Sequence, residues 1–188
     1  MEEFLALCHA IQALSPELEL ALRQQVRQET VVQRQLLLQP GQIAHRLYFL
    51  ETGLVRGFHL KDGKEVTAWF MREGDFVISI LSFFSQQPSH EYLQALTPCT
   101  LWSLSYEQLQ QLYQQFPEFN YIGRVLTEKY YVLSEQRALH LRMLSAPERY
   151  DKLLLDFPDI FQRVPLKLLA SHLGLTPETL SRLRARRS

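Results

Sequence analysis

Cysteine is nearly absent: Cys8 and Cys99 are the only two in 188 residues. Thiols this far apart in sequence give neither a disulfide framework nor a metal-chelating pair. They read as reduced, semi-buried residues of a cytoplasmic protein. The opening MEEFLALCHA is acidic and lacks the basic start of a secretory signal. No apolar run approaches the roughly 20 residues of a membrane span. Glycine is held to seven residues and proline to nine, and neither gathers into a low-complexity segment or an internal repeat. Net charge is lacking too, with 20 Lys and Arg set against 20 Asp and Glu.

That zero hides an asymmetry. From residue 163 onward the chain carries Arg163, Lys167, Arg182, Arg184, Arg186 and Arg187 against Glu178 alone, a net +5 that leaves −5 for the rest. A basic end on an acidic body suits a polyanion-binding module joined to one that does not bind polyanions. Taken alone it fits a solvated basic tail equally well.

What is present at that end is a helix-turn-helix pattern, PLKLLASHLGLTPETLSRLRAR (165–186). Leu168, Leu169, Leu173, Leu175, Leu180 and Leu183 are spaced to pack two short helices together. Gly174 sits where the chain must turn sharply. Thr176 is a good N-cap for the second helix and Pro177 suits its first turn. Glu178, Ser181 and Arg182 then project from the exposed face near the start of that helix, the part of a recognition helix that reaches base edges. Arg182 is suited to guanine O6 and N7, and Glu178 to cytosine N4. Thr179 and Ser181 read as phosphate donors, as do the arginines at 184 and 186 that follow.

Upstream, residues 2–14 and 16–28 read as short amphipathic helices, with Ser15-Pro16 opening the second. From Thr30 the pattern changes to short apolar runs: VVQRQLLLQPG, LYFLETG, LVRGFHL, KEVTAWF and DFVISI. They are broken at Pro40-Gly41, Thr52-Gly53, Asp62-Gly63 and Gly74-Asp75. Asp62-Gly63 between two strand-like runs signals a hairpin. Two more strands are expected near 91–96 and 100–104. Many short strands joined by glycine turns predict a small antiparallel barrel or jelly roll.

Helical periodicity returns after Ser105, first in SYEQLQQLYQQF and then over 118–144. Ile122, Leu126, Tyr130, Leu133, His140, Leu141 and Leu144 draw a roughly coiled-coil stripe, broken at Arg137. That stripe either packs on its own barrel or pairs with a twin helix. It is read here as a homodimer interface carried by Ile122, Leu126, Tyr130, Leu133 and Leu141. Ser145-Ala146-Pro147-Glu148 opens a further helix with a capping box. The fold class is α+β, divided as a sensor domain over 1–116, a dimerisation helix over 117–144 and a helix-turn-helix domain over 145–188.

In that order the chain resembles the bacterial regulators that include the cAMP receptor protein and its oxygen-sensing relatives, the Crp/Fnr family. Beyond the C-terminal motif, the resemblance rests on Pro40-Gly41, LYFLETGLVRGF, KDGKEV and Gly74-Asp75-Phe76. It implies a cyclic-nucleotide-binding-like jelly roll, a dimerising helix and a winged helix. It also implies a homodimer on double-stranded DNA, with RNA polymerase a further candidate partner. Pro177, Glu178 and Arg182 match the base-contacting triplet, which usually opens with Arg.

Two departures follow from the same comparison. Family members that bind cAMP hold its ribose with a Glu after Gly-Asp-Phe and its phosphate with a later Arg followed by Ser or Thr. Counted without gaps from Gly74, those positions are Ser79, Ser89 and His90. Neutral hydroxyls do not supply what an Arg fork gives a buried phosphate. The pocket is therefore read as degenerate, with cAMP not its physiological effector and the effector unassigned. Trp69, Phe70, Phe83, Phe84 and Tyr92 either line it or are barrel core. The second departure is the wing: family members follow the recognition helix with a β-hairpin, whereas this sequence stops at Ser188, so either the wing is absent or the sequence is cut short before it. No cofactor is indicated. There is no His-x-His of a metal cupin, no N-terminal cysteine cluster and no nucleophile–base pair, so the chain reads as a non-enzyme. A ligand- or protein-binding module that docks through its helix-turn-helix is the alternative.

Overall fold

The computed structural model describes residues 1–186; Arg187 and Ser188 lie outside the described residues. Two compact units emerge. One comprises Met1–Gly57 and Phe70–Glu128, the other Phe58–Trp69 and the chain from Lys129 onward.

The first unit opens with helices α1 (Glu2–Ile11) and α2 (Pro16–Gln25). Both stop three residues short of the sequence expectation. Helix α2 ends because the next residues are claimed by the sheet: β1 (Arg27–Val31) pairs antiparallel with β8 (Cys99–Ser105), Arg27 opposite Ser103 and Val31 opposite Cys99. The expected run over 31–41 also splits. Polar Gln33, Arg34 and Gln35 form a turn, with Arg34 in the left-handed region at φ 68 and its N–H donated to Ala95 O at 2.8 Å. Strand β2 (Leu36–Leu38) follows.

The remaining strands are β3 (Arg46–Thr52), β4 (Val55–Lys61), β5 (Lys64–Met71), β6 (Phe76–Val77) and β7 (Tyr92–Ala95). They form two four-stranded sheets, ordered β1-β8-β3-β6 and β2-β7-β4-β5, the jelly-roll arrangement that the turn spacing predicts. Asp62 (φ 52) and Gly63 (φ 73) make the expected two-residue turn between β4 and β5. Only Phe76 and Val77 of the run DFVISI pair with β3. From Ser79 the chain turns into an unexpected helix, α3 (Ile80–Ser85). A short apolar run reads the same in either conformation, and here packing decided. Phe83 is fully buried, edge-on to Tyr106 with ring centroids 5.5 Å apart.

Phe4, Phe49 and Phe76 form an aromatic cluster with centroids 5.5–6.2 Å apart, which ties α1 to the first sheet. Helix α4 (Tyr106–Gln115) starts in a capping box between Ser105 and Gln108. Helix α5 (Pro117–Met143) runs 27 residues. Its one glycine, Gly123, is demanded by packing, since a Cβ there would collide with the ring of Tyr113.

The second unit holds α6 (Ala146–Asp156), α7 (Ile160–Arg163), α8 (Leu166–His172) and α9 (Pro177–Ala185). The Ser145 box is present: the Glu148 carboxylate accepts from Ser145 N–H at 2.8 Å and lies 2.6 Å from its hydroxyl. Helix α7 was not expected; its Ile160 is fully buried. Tyr150, Phe157, Ile160, Val164, Leu169, Ala170, Leu173 and Leu180 make the core of this unit.

Candidate nucleic-acid interface

The turn between α8 and α9 is a Schellman closure. Gly174 N–H donates to Ser171 O at 3.1 Å and Leu175 N–H to Ala170 O at 2.8 Å, with Gly174 at φ 67. Arg149 of α6 donates to Leu173 O at 2.9 Å and so satisfies a carbonyl at the same helix end. The sequence-predicted leucines divide: Leu169, Leu173 and Leu180 are buried, while Leu168, Leu175 and Leu183 are half-buried.

Helix α9 begins at Thr176, whose hydroxyl accepts from Thr179 N–H at 3.2 Å. Pro177, Glu178, Ser181, Arg182, Arg184 and Arg186 are exposed, and Thr179 is partly covered. The helix-start backbone and the Thr176 hydroxyl, with Arg182 adding, hold the Glu178 carboxyl below its usual range. Glu178 and Arg182 stand one turn apart, an acceptor and a fork-shaped donor on one outward face. The Arg184 guanidinium lies over the Phe161 ring at 5.6 Å, which steadies it against its own unit.

The pocket residues separate. Ser79 and Ser89 are both buried, with their hydroxyls 3.3 Å apart. Ser89 also accepts from Glu91 N–H at 3.0 Å. His90 is exposed, and Gly74 forms the turn into β6 at φ 85. A groove of about 540 Å³ opens on the same unit, lined in part by Leu37, Leu38, Ile43, Arg46, Tyr48 and Leu93. Its guanidinium is already spoken for: Arg46 donates to Ser103 Oγ at 2.7 Å and faces Glu29 at 3.8 Å. Among the described residues no cluster of three His, Cys, Asp or Glu could hold a metal ion, and no helix is long and apolar enough to cross a membrane.

On α5 the predicted stripe is unevenly placed. Ile122 is buried within its own unit, Leu126 and Tyr130 are half-buried, and Leu133 and Leu141 are exposed. A second set, which the sequence reading passed over, is more open: Val132 is 52% exposed, Leu139 56% and Met143 72%. Val125, Val132 and Leu139 are seven residues apart, so the signal was available as a heptad about a third of a turn around the helix from that stripe.

Residues 28–116, from β1 to the end of α4, match the cyclic nucleotide-binding domain family. No curated protein matches the chain. Among solved structures, the c-di-GMP responsive global regulator CLP of Xanthomonas campestris is 23% identical, covering 92% of this chain and 91% of its own, with a TM-score of 0.72. A protein of Eubacterium rectale assigned to the crp/fnr family of transcriptional regulators is 16% identical, covering 92% and 83%, with a TM-score of 0.71. The catabolite activator protein of Thermus thermophilus is 20% identical, covering 94% and 84%, with a TM-score of 0.57. At these identities the likeness is one of fold, and in fold the chain resembles the Crp/Fnr regulators.

Proposed function

We propose that this chain is a homodimeric, DNA-binding transcription regulator of the Crp/Fnr type whose sensor pocket has lost its cAMP-binding groups. The observation that carries the reading is α9: a capped helix on a packed core, presenting Glu178, Ser181 and Arg182 outward with Arg184 and Arg186 following. Glu178 and Arg182 read bases. Thr176 and Thr179 fix the helix start, and Ser181, Arg184 and Arg186 bind phosphates. Pro177 has no donor and contributes backbone geometry only. Two such helices in a dimer would meet half-sites one helical turn apart, roughly 34 Å.

The pocket supports an effector other than cAMP. Ser79 and Ser89 face each other and offer no charge to a cyclic phosphate. The protein works in the cytoplasm, where its DNA and RNA polymerase are found.

Fluorescence anisotropy on duplex DNA selected from a random pool, across a salt series, tests this. The expected result is a two-fold-symmetric site, affinity that falls steeply with salt, and no response to cAMP. Binding that is absent or indifferent to salt would favour a protein-docking module. A cAMP-dependent gain would overturn the reading of Ser79, Ser89 and His90.

Pairing is assigned to the uncovered side of α5. Leu139 and Val132 lie on the apolar seam that a second copy would bury. Leu139→Glu is expected to convert the dimer to monomer at micromolar concentration in sedimentation, because a carboxylate would be buried against its twin. An unchanged dimer would place the interface on the side of Leu133 and Leu141.

A further inference from the structure

The groove on the first unit draws its walls from both sheets. Leu38 and Leu93 are paired across β2 and β7, and Arg46 and Tyr48 stand at the start of β3. Leu37, Ile43 and Ala44 complete the wall, and the space between them is about 540 Å³. That volume falls in the range of small-molecule sites. Gly74, Ser79, Ser89 and His90 are not among the residues that line it.

The wall between β2 and β3 is held by hydrogen bonds of its own. Gly41 N–H donates to Ser89 O at 2.9 Å, Ser89 N–H to Gln42 O at 2.8 Å, and Ala44 N–H to Ser82 Oγ at 2.9 Å. Ile43 forms an isolated bridge with Pro88. A site fixed before its ligand arrives loses less ordering entropy on binding.

Charge decides what the groove can take. No Asp or Glu is among the described residues that line it. Its guanidinium, Arg46, gives one N–H to Ser103 Oγ at 2.7 Å, and Glu29 lies 3.8 Å away, so that charge is balanced within the protein. An anion entering the groove would meet the field of Glu29 and lose more hydration than a shared guanidinium returns. His45 is exposed, its Nδ1 3.2 Å from Gln86 Oε1. Tyr48 is buried, and burial pushes its phenol up to about 12, so it offers a neutral hydroxyl that both donates and accepts. We propose that this groove is a ligand site, separate from the Ser79–Ser89 pair, for a neutral molecule with an apolar body and one oxygen: a phenol, an alcohol or a ketone. The aliphatic wall takes the body and the Tyr48 hydroxyl takes the oxygen. The inference does not rest on DNA binding and is tested without DNA.

The probe is N-phenyl-1-naphthylamine, which is neutral and fluoresces in apolar surroundings. Its counterpart is 8-anilino-1-naphthalenesulfonate, the same ring system with a sulfonate added. The neutral probe is expected to bind saturably at about 10 µM, and the sulfonate about tenfold or more weakly than that. Ile43→Trp and Leu37→Trp, both at half-buried positions, fill the groove and should each weaken the neutral probe about tenfold, with thermal unfolding near wild type. Should one of them fail to fold, the other decides. Displacement of the probe by 1-naphthol should be about fivefold weaker in Tyr48→Phe. Probe binding that does not saturate, or that persists in a folded Trp variant, would overturn the site. A sulfonate that binds as tightly as the neutral probe would overturn the ligand class. Equal displacement by 1-naphthol in wild type and Tyr48→Phe would remove Tyr48 from the site.

Discussion

Arg182→Glu is expected to lower affinity for the preferred duplex by about 100-fold or more while leaving the oligomeric state unchanged. The size follows from two losses. A bidentate guanidinium–guanine contact discriminates by about 1–3 kcal/mol, and the introduced carboxylate repels the adjacent phosphates. The fold should tolerate the change, because Arg182 is exposed and its contact within the helix is a long one, Nε to Glu178 O at 3.4 Å. Thermal unfolding should therefore stay close to wild type. A base reader and a phosphate contact differ in signature. If Arg182 reads guanine, Arg182→Ala flattens the preference at one position of each half-site. If it binds only phosphate, affinity drops evenly across sequences and the salt slope shrinks by about one. Undiminished operator affinity in Arg182→Glu would remove α9 from the groove.

A second large effect is expected on acidification. Burial, with the Arg137 guanidinium adding, holds the His172 imidazole down at about 4, against an ordinary 6.5. A depressed folded-state value means that folding favours the neutral ring. That contribution is complete above pH 6.5 and is lost as pH falls from there towards 4. Its full extent is about 3 kcal/mol, of which about 2 kcal/mol should be gone by pH 5. Urea unfolding at pH 7.5 and pH 5 measures it. Wild type should lose about 2 kcal/mol more than His172→Gln over that interval. The glutamates Glu118 and Glu148, which Ser15 and Ser145 hold below the usual carboxylate range, are common to both proteins and cancel in the comparison. Identical losses in both proteins would show the imidazole to be solvated.

The features legible in the sequence are those that a few neighbouring residues settle. Asp62-Gly63 made its hairpin, Ser145 and Glu148 their capping box, and Gly174 its left-handed turn. Thr176 capped α9, and α5 came within a residue of its expected bounds. Each is a backbone preference over one turn or less, or a periodicity repeated often enough to outweigh its exceptions.

What sequence missed was set by distant partners. Arg27–Val31 is strand, not helix, because β8 lies beside it. Ile80–Ser85 is helix because only two residues of its run find a partner in β3. Ile122 was assigned to a dimer stripe, yet Phe119 and Ile122 are both buried within their own unit. His172 passed as an ordinary polar residue of a short helix.

The sequence by itself therefore determined the jelly roll, the long helix and the helix-turn-helix pair with Glu178, Ser181 and Arg182 on its exposed face, since all of these rest on local conformation and on spacing. Only the tertiary structure decided which side of α5 is left uncovered, that Ser79 and Ser89 satisfy one another, and that Glu29 meets Arg46 where the two sheets leave a groove. Burial and hydrogen-bond pairing join residues far apart in the chain, and no local preference records which of them will meet.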